Sequence, residues 1–71
     1  MILYVVNERY DDNFGVIGAY PTAQKATDVF EKWLDENRIE GENRAQAMED
    51  LIYEESTIAC HVEMVEMEDT N

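Results

Sequence analysis

Residues 20–34 of the chain have the sequence YPTAQKATDVFEKWL. Pro21 has no amide hydrogen for a sheet ladder, and the hydroxyl of Thr22 is placed to accept from a free amide at a helix start. Apolar residues then recur at helical spacing, at Ala26, Val29, Phe30, Trp33 and Leu34. This spacing predicts an amphipathic helix that fades near Asn37.

The segment before this helix is predicted to form a β-hairpin. Residues 2–8 are rich in β-branched and aromatic side chains, residues 10–13 supply the short polar side chains that favour a turn, and residues 14–20 resume the strand pattern. Gly15 and Gly18 lie within the second strand, where a glycine marks a bulge or a close approach by another backbone.

The segment after the helix is predicted to contain a second helix and a further strand. Residues 38–42 form a polar connection, and Asn43 with Gln46 matches the capping box of a helix start. The apolar side chains expected on the buried side of this helix are Ala45, Met48, Leu51 and Ile52. Residues 56–67 return to strand character.

The predicted order β-β-α-α-β indicates the α+β class, as a small two-layer sandwich in which a short sheet carries two helices on one face. Residues 1–67 are expected to form a single α+β domain, and residues 68–71 a frayed acidic tail. The last strand could extend the sheet beside the first strand or beside the second. Either arrangement leaves open edges, through which a homodimer could form.

The chain is strongly acidic. Asp and Glu number 17 against 5 Lys plus Arg in 71 residues, which gives a formal net charge of −12. Apolar residues make up 45% of the chain, which predicts a folded core beneath an acidic shell. Such an excess can serve solubility, adaptation to high salt, or attraction to a basic partner, and it disfavours direct binding of nucleic acid.

The candidate partner-binding residues are acidic side chains, with one tyrosine, on the two helices and the C-terminal segment. Carboxylates one helical turn apart are separated by a rise of about 6 Å, which is similar in scale to the spacing of phosphates on a nucleic-acid strand. A basic groove that binds phosphates would attract such a face. The predicted set is Asp28, Glu31, Asp35, Glu49, Asp50, Tyr53, Glu54, Glu63, Glu66, Glu68 and Asp69.

No catalytic, cofactor or metal site is predicted, and the chain is expected not to be an enzyme. Cys60 is the only cysteine, which favours a reducing cytoplasm, and strand alternation places it on the opposite face from His61, the only histidine. Residues 11–13 have oxygen ligands without the spacing of a calcium loop, so we expect a hairpin turn. The apolar opening is followed at once by polar residues and predicts neither a signal peptide nor a membrane span.

Three stretches near the start resemble a recurring type of small bacteriophage protein: ILYVV at residues 2–6, FGVIG at residues 14–18, and AYPT at residues 19–22 followed by QKA at residues 24–26. In that type a hairpin ends in an aromatic residue and a Ser or Thr cap that leads into a helix. The resemblance implies phage origin, host cytoplasm, and membership of a class that includes acidic anti-CRISPR and anti-restriction inhibitors, some of which resemble DNA in charge.

The sequence therefore predicts a small acidic binding protein that occludes the basic nucleic-acid-binding surface of a host defence complex by charge mimicry. The alternative is an accessory or regulatory domain that binds a protein partner through a sheet edge or an apolar patch, with acidity serving solubility or high-salt adaptation. The two differ in whether the acidic side chains or the sheet provide the contact.

Overall fold

The computed structural model describes residues 1–68 and has a four-stranded antiparallel sheet with two helices, which confirms the predicted α+β class. It contains one more strand than the sequence predicted. In chain order the elements are β1 (Ile2–Tyr10), β2 (Asn13–Tyr20), α1 (Ala23–Glu36), α2 (Gly41–Asp50), β3 (Ile52–Glu54) and β4 (Ile58–Glu66). Neither helix in the described part of the chain is long and apolar enough to cross a bilayer.

The strands lie in the order β2-β1-β4-β3, so β1 and β4 form the centre of the sheet. Strand β4 lies beside the first strand, which decides between the two positions that the sequence left open. The β1–β4 register runs without a shift from the pair Ile2 and Glu66 to the pair Tyr10 and Ile58. The edges of the sheet are the long strand β2 and the three-residue strand β3.

Helix α1 begins and ends as the local sequence predicts, with one unexpected residue at its end. The Lys25 amide donates to the hydroxyl of Thr22 at 3.2 Å, and Asn37 is the C-cap. The chain then turns through Arg38, which has a left-handed φ of 57° in a position that glycine usually occupies. The amide of Ile39 reaches back to the carbonyl of Leu34 at 2.9 Å, which completes a Schellman motif.

The hydrophobic core lies between α1 and the two central strands. Phe30 and Leu34 of α1 are fully buried against Val6 of β1 and Cys60 of β4. The remaining buried apolar residues are Ala26, Trp33, Ile39 and Ala47. Phe30 and Trp33 are therefore core anchors, as their place on the apolar stripe predicted.

Strand β2 contains the predicted irregularity. Its register against β1 shifts between the pair Val6 and Gly18 and the pair Asn7 and Val16, which leaves Ile17 as an extra, bulged residue. A Cβ added at Gly18 would lie 2.3 Å from the hydroxyl of Tyr20. The close neighbour of this glycine is thus a tyrosine side chain rather than another backbone.

The second helix is shorter than predicted and starts elsewhere. Residue Glu40 is its N-cap, without a side-chain cap hydrogen bond, so the predicted cap at Asn43 is wrong. The helix ends at Leu51, whose φ of 56° is left-handed and whose amide donates to the Ala47 carbonyl at 2.7 Å. The expected buried side is also wrong in part, because Ala45 is exposed and Ala47 is buried.

Residues that were expected to continue this helix form β3 instead. Ile52, Tyr53 and Glu54 pair with His61, Cys60 and Ala59 of β4. The ring of Tyr53 packs against Trp33 with centroids 6.0 Å apart and a tilt of 52°. The helical spacing of Leu51 and Ile52 is a local preference. The pairing with β4 and the contact of Tyr53 with Trp33 override it, and these tertiary contacts cannot be read from helix periodicity.

Replacement of Thr22 by alanine is expected to lower the free energy of unfolding by about 1 kcal/mol, because the Lys25 amide loses its cap acceptor. The measurement is denaturant unfolding monitored by circular dichroism. The control is Thr27→Ala, which removes a hydroxyl that only donates to the Ala23 carbonyl within the helix and which is expected to cost nothing. Equal losses in both variants would contradict the assigned cap.

Candidate interaction surface

Within residues 1–68 one face of the sheet carries no helix, and we call it the open face. Side chains alternate along a strand, so the buried residues Val6 and Cys60 mark the helix-covered face and their neighbours in the chain face the other way. The pairing registers extend this assignment to all four strands. The open face consists of Leu3, Val5, Asn7, Arg9, Phe14, Val16, Ala19, Ile52, Glu54, Ala59, His61, Glu63 and Val65.

The open face is largely apolar yet accessible to solvent. Phe14 is 81% exposed, Val16 64% and Ile52 50%. Leu3, Val5 and Val65 are half-buried on the same face. Apolar side chains grouped in this way on one face, rather than scattered singly over a surface, are typical of an interaction site.

A groove of about 430 Å³ crosses the open face. Its apolar part is formed by Phe14 and Val16 at the β2 side, and carboxylates of Glu54 and Glu63 line it as well. Between them, Asn7 and His61 are a cross-strand pair whose Nδ2 and Nε2 atoms lie 3.4 Å apart. Glu8 and Arg9 line the groove as well, so it combines an aromatic side chain, small aliphatic side chains, three acidic residues and one arginine.

Arg9 is the one arginine or lysine of the open face, and backbone carbonyls bind its guanidinium. Its Nη2 donates to the Glu55 carbonyl at 2.9 Å, and its Nη1 donates to the carbonyls of Asp11 at 3.0 Å and Ser56 at 3.5 Å. These bonds join the β1–β2 turn to the β3–β4 turn. Within residues 1–68 neither Glu54 nor Glu63 has a salt bridge, since the ion pairs found there both involve Arg44.

The predicted acidic residues of α1 lie on its exposed face, but a cation already binds two of them. Arg44 of α2 donates through Nη2 to Glu31 at 3.1 Å and through Nη1 to Asp35. The hydrogen bond to Asp35 is the main cause that raises the pKa of Arg44. Asp28 accepts instead from the amide of Gln24 at 2.9 Å. The exposed face of α1 is therefore less negative than its sequence suggests.

The candidate residues predicted on one side of the second helix are divided between two elements. Glu49 and Asp50 are exposed in the last turn of α2. Tyr53 and Glu54 belong to β3, where Tyr53 faces the helices and Glu54 the open face. The predicted helical-turn spacing of Asp50 and Glu54 is therefore wrong, because α2 has already ended at Leu51.

Tyr53 is also not part of an acidic face. Its hydroxyl donates to the carboxylate of Glu55 at 2.5 Å, and this hydrogen bond is the first cause that raises its pKa. The candidate residues of the C-terminal segment are separated as well: Glu63 lies on the open face, Glu66 ends β4, and Glu68 is exposed beyond it. Asp69 lies outside the described residues.

The structure thus does not bring the predicted residues onto one face. Those on α1 and α2 form an outer surface of the helix layer, and Glu54 and Glu63 lie on the open face. Tyr53 faces the helices, while Glu66 and Glu68 lie at the end of β4. The acids at the helix ends have an energetic cost, since Asp35, Glu36, Glu49 and Asp50 occupy last turns, where the helix dipole disfavours negative charge.

Sequence reasoning missed the exposed apolar residues of β2 as interaction candidates. Phe14 and Val16 alternate with glycine, so the strand pattern already placed them on one face. Two short helices can cover only one face of a sheet, and residues 14 and 16 lie on the other. These two observations together could have identified the open face.

The expected separation of Cys60 and His61 is confirmed, because Cys60 is buried beneath α1 while His61 lies on the open face. Burial, together with the charge of Glu8, raises the pKa of the Cys60 thiol to about 12. A thiol held in the neutral form and away from the imidazole is a poor nucleophile. Within residues 1–68 no three acidic, histidine or cysteine side chains are grouped to hold a metal ion.

Comparison of the chain with protein-family models, with curated proteins and with solved structures finds no match. The resemblance to small phage proteins stays a prediction from the sequence.

The buried thiol predicts a fall in stability at alkaline pH. Above pH 9 the unfolded chain releases the Cys60 proton, whereas the folded chain retains it up to a pKa of about 12. The unfolded state then binds fewer protons, so the free energy of unfolding falls by up to about 1.4 kcal/mol for each pH unit between these values.

Denaturant unfolding on the two sides of pH 9 measures this fall. The control is Cys60→Ala, which leaves a small cavity and lowers stability at every pH but lacks the titrating thiol, so its fall with pH is expected to be shallower. Every other side chain is the same in both proteins, so the comparison isolates the thiol. Parallel pH profiles would contradict the assigned shift.

Proposed function

We propose that this chain is a non-catalytic binding protein that docks on a basic partner protein through its open face. The observation that carries the proposal is the groove, in which Phe14 and Val16 are exposed beside the carboxylates of Glu54 and Glu63. Apolar contacts supply the affinity of such an interface, and charges at its rim supply specificity and speed of association.

Charge selects the class of partner. The chain carries a formal net charge of −12, and backbone carbonyls bind the guanidinium of Arg9 on the open face. Cations of the partner would find Glu54 and Glu63 without a competing salt bridge from residues 1–68. The same net charge repels nucleic acid and membranes with anionic headgroups. A basic protein with apolar side chains among its cations fits this surface best.

Basic surfaces of this kind are common on proteins that bind nucleic acids, so docking would occlude the site at which such a protein binds phosphates. A host defence complex is the target class that the sequence resemblance implies. The docking contact itself differs from charge mimicry, because it needs the apolar residues of the sheet as well as the carboxylates.

Charge mimicry by the helix layer is a second candidate, and a separate observation favours it. Glu49 and Asp50 are exposed in the last turn of α2, which holds no basic residue, so the negative end of the helix dipole disfavours both carboxylates. Acids retained where they lower stability fit a role in binding. In this candidate the helix layer, not the sheet, contacts the basic partner.

A defined probe can test both candidates before any natural partner is known. The probe is a short blocked peptide of alternating lysine and leucine, titrated into isotope-labelled protein and followed by amide chemical shifts. A lysine peptide of equal charge without leucine is the control for charge alone. The proposal expects the mixed peptide to shift the amides of Phe14, Val16 and His61, and to bind more tightly than the control.

The expected effect of removing the open-face charges is a weaker mixed-peptide complex. Glu54→Gln with Glu63→Gln removes two exposed pairs worth about 0.2–1 kcal/mol each, which is a loss of roughly twofold to thirtyfold in affinity. The matched control is Glu49→Gln with Asp50→Asn, which makes the same change in net charge on the helix layer. A loss confined to the control pair would favour charge mimicry and contradict the open face.

The apolar contribution has its own matched pair. Phe14→Ser removes a side chain that is 81% exposed, and Met64→Ser removes one that is 65% exposed on the opposite side of the sheet. Neither contributes to the core, so both variants are expected to fold. The proposal requires weaker binding by the Phe14 variant alone, and equal affinities for the two variants would refute it.

A further inference from the structure

The edge strand β2 differs from the rest of this acidic chain in carrying no charged residue. Residues 13–24 contain neither an acid nor a base, and β2 (Asn13–Tyr20) lies entirely within them. The strand forms one edge of the sheet and exposes Phe14, Val16 and Ile17. A long, apolar, uncharged edge presents unpaired backbone groups to any other strand.

The opposite edge has the protection that β2 lacks. Strand β3 (Ile52–Glu54) is only three residues long, ends in an acid and is followed by Glu55. Short strands and charged side chains are devices that prevent pairing at a sheet edge, as are bulges. The only such device on β2 is the bulge at Ile17, and it leaves residues 13–16 as a regular stretch on one side.

Gly15 lies in the middle of that stretch and has open space around it. A Cβ added there would have no neighbouring atom within 4 Å, in contrast to Gly18, over which the ring of Tyr20 lies. Glycine within a strand weakens it and often marks a place where another backbone approaches closely. Strand β1 pairs with residues 13–16 on one side, and within residues 1–68 no strand pairs with their other side.

We infer that β2 pairs with β2 of a second copy of this chain, antiparallel about a two-fold axis. Charge selects a second copy as the occupant, since a neutral edge has nothing to attract a charged segment and is the place where two chains of net charge −12 meet with least repulsion. The symmetry makes the contact isologous. The two sheets then form one sheet twice as wide, and the two open faces become continuous.

This pairing has a salt dependence opposite to that of the proposed partner binding. Raising the ionic strength from about 0.1 M to about 1 M shortens the Debye length from about 10 Å to about 3 Å. Repulsion between two like-charged copies is then screened, so the dimer is expected to tighten by roughly threefold or more. Attraction to a basic partner weakens under the same change, so failure of one proposal can be distinguished from failure of the other.

Sedimentation of the full chain over a range of protein concentrations, at low and at high salt, tests the inference. The expected result is a monomer–dimer equilibrium that salt shifts toward the dimer. Hydrogen exchange supplies the second readout, because the amides of residues 13–16 that point away from β1 should gain protection as the dimer forms. A monomer at every concentration and salt, or a dimer in which these amides gain no protection, would overturn the inference.

Matched lysine substitutions at the two edges locate the contact. Val16→Lys on β2 and Ile52→Lys on β3 make the same change in charge at exposed positions of the open face. The first places two lysines beside the two-fold axis and is expected to weaken the dimer by roughly tenfold, whereas the second leaves it unchanged. Equal weakening by the two variants would indicate dimerisation through stacked open faces. Weakening by Ile52→Lys alone would indicate pairing at the β3 edge. Either result would contradict pairing at β2.

Discussion

The packing of α1 on the two central strands is the constraint on which the rest of this structure depends. Phe30 and Leu34 pack with Val6 and Cys60, and the other buried apolar side chains belong to the same cluster. A chain of this size buries only about 60% of the surface that it exposes when unfolded. The apolar surfaces of its two helices cover one face of the sheet, and the other face therefore remains open.

Two of the five lysines and arginines of the chain, Arg9 and Arg44, hold elements of the fold together. Arg44 joins α2 to α1 through Glu31 and Asp35, and Arg9 joins two turns through backbone carbonyls. Within residues 1–68 neither guanidinium therefore forms a salt bridge with the carboxylates of the open face or with those at the end of α2. The distribution of charge is uneven as a consequence, with an uncharged edge at β2 and acids almost everywhere else.

Local signals account for the parts of the fold that could be predicted. Thr22, the apolar stripe of α1 and the hairpin turn are each specified by residues a few positions apart. Strand β3 could not be predicted in this way, because Ile52 and Tyr53 have the spacing of a helix and form a strand only through β4 and Trp33. The separation of Tyr53 and Glu54 from Glu49 and Asp50 follows from that one change of element. The left-handed turn after α1 could not be predicted either, because Arg38 occupies the position at which a glycine usually marks such a turn.

The central position of β4 also decides the order in which the molecule can assemble. Pairing of β1 with β4 joins Ile2 to Glu66, so the middle of the sheet forms only after the chain has closed a long loop. During synthesis the β1–β2 hairpin is made first, and the inner edge of β1 stays unpaired until β4 has left the ribosome. Mutual repulsion between nascent acidic chains would keep such unpaired hairpins apart. The negative charge therefore protects the chain against aggregation before folding is complete.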